Sequence, residues 1–90
     1  MAKKIEMLVP TVHLNGSGFD NLYRDYRAAL KAVQEARHAL PVPHGRDYYV
    51  MEQGSFERAR AQYEAQRRRL DEIEEELSGI LLGIMDQRER

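Results

Sequence analysis

Apolar residues return every three or four positions through two long stretches of this chain. Phe19, Leu22, Tyr26, Ala29, Val33, Ala36 and Leu40 form the first series, bordered by Tyr23, Leu30 and Arg37. Phe56, Ala59, Tyr63, Gln66, Leu70, Ile73, Leu77, Ile80 and Ile84 form the second. This period belongs to an amphipathic helix with one buried stripe. The pattern predicts helices over about residues 18–40 and 55–87. Ser17, with Asp20 three residues on, reads as the cap of the first helix, and Ser55 as the cap of the second. Pro41 stops the first helix.

Before residue 18 the pattern changes. Ile5, Met7 and Val9 alternate with Lys4, Glu6 and Leu8, a period of two. Pro10 removes a backbone donor and forbids a central strand. Residues 1–17 therefore read as an extended arm or edge strand followed by the turn Asn15-Gly-Ser-Gly18. Between the helices, residues 41–54 form a connection longer than helical hairpins usually need. It holds two prolines and two adjacent tyrosines, and is expected to be ordered.

The predicted architecture is all-α: one domain over 1–90, an antiparallel two-helix hairpin with an extended N-terminal arm, packed into a homo-oligomeric assembly. Oligomerisation enters through helix length. At 1.5 Å per residue the helices measure roughly 34 and 50 Å. The two must run antiparallel, and the second then overhangs the start of the first by some three turns. That overhang, Ser78–Met85, is apolar on nearly every face. Part of it lies within reach of the arm. Gly79, Ile80, Leu81, Gly83 and Ile84 are the expected subunit interface, the glycines permitting close approach.

Composition narrows the function classes. The 90 residues contain no cysteine, so disulfides and thiolate metal sites are excluded. No apolar run reaches the length of a bilayer span, and nothing at the N-terminus reads as a signal peptide, so a cytoplasmic location is expected. The net charge of −1 opposes general nucleic-acid binding. Arg58, Arg60 and Arg67–Arg69 are the residues such binding would use, but acids are interspersed among them. Arg67–Arg69 and Glu74–Glu76 read as solvated faces, paired within the helix or between chains.

Two short segments could carry chemistry. His13-Leu-Asn-Gly-Ser-Gly18 precedes a helix N-terminus, where free backbone N–H groups and the helix dipole attract anions. The plainer reading is a turn and a cap. His44-Gly-Arg-Asp-Tyr-Tyr49 joins a guanidinium suited to phosphate with two aromatic faces suited to stacking. The plainer reading pairs Arg46 with Asp47 and uses the tyrosines to close the hairpin end. The candidate ligand residues are His13, Asn15, Gly16, Ser17, His44, Arg46, Tyr48 and Tyr49. The three histidines lack metal-ligand spacing, so no metal and no cofactor is expected. No nucleophile stands beside a base, so no catalytic residue and no enzyme is expected. In a single hairpin the two segments lie at opposite ends, roughly 30 Å apart. A shared site would need a second subunit or an arm that runs back along the helices.

The combination of Pro10-Thr-Val-His-Leu-Asn-Gly-Ser17, a helix, His44-Gly-Arg-Asp-Tyr-Tyr49 and a charged helix resembles a group of small phage and prophage proteins. The resemblance covers nearly the whole chain. In that group Thr more often follows Asn-Gly, and Ser17 keeps the hydroxyl. It implies a phage context and supplies no chemistry. By size and oligomeric habit the chain also looks like small phage proteins that sequester nucleotide immune signals, an analogy rather than a motif match. Two functions follow as expectations. One is a non-catalytic oligomer that sequesters a small anion, with a nucleotide as the candidate. The other is a helical adaptor that docks a host or virion protein and has no small ligand.

Overall fold

The computed structural model describes residues 7–13, 16 and 18–88. Its helices are α1, Phe19–Ala39, and α2, Ser55–Arg88, with a short 3-10 turn over Gly45–Asp47 between them. They run antiparallel in an elongated hairpin of 61 × 29 × 18 Å. The all-helical hairpin expected from the periodicity is present, with boundaries within a residue of those read from sequence. The described residues include no strand.

Both caps differ from the sequence reading. Gly18, not Ser17, is the N-cap of α1, with no side-chain cap bond. Its carbonyl accepts the Leu22 N–H at 3.2 Å. Ser17 itself falls outside the described residues. Ser55 is the first residue inside α2. The carbonyl accepting the first helical bond, from Arg58 N–H at 3.0 Å, belongs to Gly54. Gly54 has φ +88, a left-handed conformation that costs glycine little, so the chain turns sharply into α2 there.

The register between the helices overturns the predicted overhang. Arg37 bridges to Asp71 at 2.8 Å and to Glu74 at 2.7 Å. Gln34 donates to Glu74 at 2.9 Å. At the other end, the Arg88 guanidinium lies 4.7 Å above the Phe19 ring. The start of α1 is therefore level with the end of α2. The excess length of α2 projects at the connection end instead. There the connection folds back along it: Tyr48 meets Phe56 with ring centroids 6.1 Å apart. Pro41, Pro43 and Tyr48 face Ala59, Tyr63 and Gln66 across a shared groove. A long connection can either loop out or lie along a helix, and lying down covers apolar surface.

The segment Ser78–Met85 is thus flanked by α1 and by the arm. Leu30, Ile80, Leu81 and Ile84 are the buried hydrophobic core, and Ile84 is completely enclosed. Three of the five expected interface residues are consequently filled by the chain's own contacts. Gly83 is half-buried beneath the arm: a Cβ there would lie 2.9 Å from both Val9 methyl carbons. Gly79 is exposed and has no neighbour within 4 Å of such a Cβ.

The arm keeps the alternation seen in the sequence. Met7, Val9 and Val12 are half-buried, while Leu8 and Thr11 face outward. Gln87 holds it in place of a strand ladder. Its Oε1 accepts from Val12 N–H, and its Nε2 donates to the Pro10 carbonyl, each at 2.8 Å. One amide side chain satisfies two backbone groups that have no strand partner.

Candidate functional site

The His44–Tyr49 loop is built around the 3-10 turn. The backbone N–H groups of Asp47 and Tyr48 donate to the carbonyls of His44 and Gly45, each at 3.0 Å. Met51 N–H donates to the Tyr48 carbonyl at 3.1 Å and extends the fold of the loop. Tyr48 is half-buried against Phe56 and anchors it. The other polar side chains face water. His44, Arg46 and Asp47 are exposed, and Tyr49 is 81% exposed.

Arg46 and Asp47 do not form the ion pair of the plainer reading, and Arg46 has no carboxylate partner among the described residues. An exposed guanidinium free of an internal anion keeps its five donors for an external one. The adjoining groove, about 280 Å³, receives Asp47 and Tyr48 but neither Arg46 nor Tyr49. It contributes a carboxylate from Asp47 and amide groups from Gln62 and Gln66.

The turn before α1 is less suited to an anion. His13 and Gly16 are close, with Gly16 N–H donating to the His13 carbonyl at 3.3 Å. The His13 imidazole lies over Gly16 so closely that a Cβ there would sit 2.8 Å from two ring atoms. A larger residue there would require the exposed imidazole to swing aside. Asn15 and Ser17 fall outside the described residues. Asp20 in the first turn already places a carboxylate where the α1 dipole favours negative charge. Arg88 covers the same end from α2, lining a shallow recess with Gly18, Phe19, Asp20 and Asn21. Its position was not legible in the sequence, where it belongs to a charged tail. Only the helix register brings it onto Phe19.

The two segments are not brought together in one chain. They flank α1, whose 21 residues span about 31 Å. The arm does not bridge them, because its described part runs beside the C-terminal end of α2. Among the described residues no cluster of three or more potential metal ligands occurs. No described helix is long and apolar enough to cross a membrane.

The strongest electrostatic perturbation lies away from both segments. The Arg37 guanidinium is held above the usual arginine range, chiefly by its hydrogen bond to Asp71 and then by the Glu74 charge. It clasps α1 to α2 and serves the fold. Comparison with family models, curated proteins and solved structures finds no match to this chain.

Proposed function

We propose that the chain is a non-catalytic, self-associating binding protein whose His44–Tyr49 loop captures a small anion, with a nucleotide as the candidate ligand. The observation that carries this reading is the state of Arg46. Its guanidinium is exposed and unpaired on an ordered turn, three residues from the exposed Tyr49 ring. Arg46 would take phosphate oxygens in a bidentate fork, and Tyr49 would offer a face to a base. His44 would add a hydrogen bond. Tyr48, turned onto Phe56, would position the loop rather than stack on ligand. A ligand held this way is bound and released unchanged, which suits sequestration in a phage setting.

Calorimetry against a panel of mono- and cyclic dinucleotides tests the reading. Binding should be lost in Arg46→Ala, weakened in Tyr49→Ala, and kept in Arg60→Ala, a cation outside the loop. If no nucleotide or inorganic phosphate produces heat or a thermal shift with the wild-type chain, the anion reading falls.

The adaptor reading has its own observation. Val50 and Met51, directly after Tyr49, are 76% and 56% exposed. An apolar run at the tip of a hairpin suits docking to a protein. Recovery of a stoichiometric protein partner, lost in Met51→Asp and kept in Arg46→Ala, would favour it. Leu81, which the sequence suggested as the docking residue, is buried and unsuited to that test.

A further inference from the structure

The outward face of α2, turned away from α1, carries a stripe that the fold leaves unused. Ala61, Arg68, Glu75 and Leu82 are spaced seven residues apart, all exposed, with Leu82 at 64%. Seven-residue spacing keeps side chains on one face of a helix and is the repeat by which helices pair.

Read backwards, the stripe complements itself. The small Ala61 would face the large Leu82, and the cation Arg68 would face the anion Glu75. In a parallel pair each residue would meet its own copy, so Arg68 would oppose Arg68 and Glu75 would oppose Glu75. The orientation is therefore decided by charge.

Two further features give the same register. Glu57, Arg60, Ala61 and Glu64 line a shallow depression of about 210 Å³. Residues at i, i+3, i+4 and i+7 make the hole that receives a knob in helix pairing. Leu82 is the exposed knob of matching phase, and the midpoint between it and this hole falls between Asp71 and Glu72. The charge blocks are independent of that contact. Arg67–Arg69 centre on Arg68 and Glu74–Glu76 on Glu75, and their midpoint again falls between Asp71 and Glu72. Along α2, residues 55–70 hold five arginines and two glutamates, while residues 71–87 hold six acids and no base. Among the described residues, Arg67, Arg68, Arg69, Glu72, Glu75 and Glu76 make no ion pair. Asp71 and Glu74, by contrast, are engaged by Arg37.

We propose that this face of α2 binds the same face of a second copy, antiparallel, with the two-fold axis passing between Asp71 and Glu72. The proposal rests on the self-association read above and specifies its surface, orientation and register. It relocates the interface from the buried Ile80, Leu81 and Ile84 to the outward stripe. The seam is rich in charge and poor in apolar area, so the dimer is sensitive to salt. Glu57 and Asp86, of like charge, meet at the periphery, where solvent screens them.

The pairing also bears on the ligand loop. It brings the His44–Tyr49 loop of one copy level with the α1 start of the other. Each lies on the outer side of its own α2, so two helix widths, about 20 Å, separate them. The loop site is then complete within one chain, with one ligand bound per chain.

Sedimentation equilibrium on the full chain tests the seam, with circular dichroism confirming that each variant stays helical. The wild type is expected to be a dimer in about 0.05 M salt, weakening roughly tenfold or more by about 0.5 M. Arg68→Glu and Glu75→Arg should each weaken it by roughly tenfold or more, since each replaces two attractions with two repulsions. The double variant Arg68→Glu/Glu75→Arg should restore it. Because the chain has no cysteine, Glu72→Cys should give a disulfide-linked dimer on mild oxidation, and Ala61→Cys, far from the axis, should not. A dimer indifferent to both charge reversals, or a double variant that stays dissociated, overturns this seam and leaves self-association standing. A monomer in low salt overturns both. Neither result alters the anion test on Arg46.

Discussion

Gly79 and Gly83 lie one helical turn apart in α2, and the same substitution should have opposite effects at the two. Replacing a helix-interior glycine by alanine stabilises by about 0.5–1 kcal/mol, because alanine loses less backbone freedom on folding. At Gly79 an added Cβ meets nothing within 4 Å, so Gly79→Ala should show that full gain. At Gly83 the Cβ would stand 2.9 Å from both Val9 γ-carbons and 3.4 Å from its β-carbon. With both methyls in the way, a Val9 rotamer change offers little relief, so the arm must lift. Val9 is half-buried there, and full burial of a valine contributes about 1.5–3 kcal/mol. Losing a good part of this offsets the helix gain. Gly83→Ala should be neutral to about 1 kcal/mol destabilising, leaving the variants about 0.5–2 kcal/mol apart. For a domain of this size 1 kcal/mol moves Tm by about 4–8 °C, so the two melting curves should be resolved. Urea unfolding followed by circular dichroism gives the free energies. High salt weakens the proposed α2 seam and so limits any effect of Gly79 through it. Equal stabilisation by both substitutions would show that the arm does not pack on Gly83.

The core makes a second prediction. Ile84 is fully enclosed, so Ile84→Ala should cost about 2–5 kcal/mol, whereas Leu82→Ala in the monomer should change stability by less than about 0.5 kcal/mol. Urea midpoints for the two variants check the contrast. Arg37→Ala should lower Tm, since it releases Asp71 and Glu74 together, and high salt should shrink the deficit. The raised pKa of Arg37 means that the fold favours its protonated form. Its contribution is therefore fully present below the unfolded arginine value and is lost only as pH rises through the folded one. Moderately alkaline solution should leave the Tm gap between wild type and Arg37→Ala intact. Melting curves of the two proteins from neutral to moderately alkaline pH check this.

The periodicity of two apolar stripes was enough to specify two helices and their ends, because a helix is a local object held by bonds four residues apart. Pro41 and the break at Gly54 are local as well. Before α1, Met7 and Val9 are half-buried and Leu8 is exposed, the same alternation that their residue types show. Relative placement was not legible. The sequence reading put the excess length of α2 at its C-terminal end, and the structure puts it at the connection end. A fourteen-residue connection has no local signal for looping out or lying down. Contacts between distant residues decide that: Arg37 with Asp71 and Glu74, Arg88 with Phe19, Tyr48 with Phe56. This one choice of register buries Ile80, Leu81 and Ile84 within the chain and leaves Leu82 outside. The His44–Tyr49 loop was legible as a candidate site from its residue types. Whether Arg46 spends its charge on Asp47 was not, because that depends on the backbone path of a 3-10 turn. Sequence determined which residues form helices and which faces are apolar. Tertiary structure decided which apolar faces the chain covers itself, because covering one requires a partner whose position no local pattern encodes.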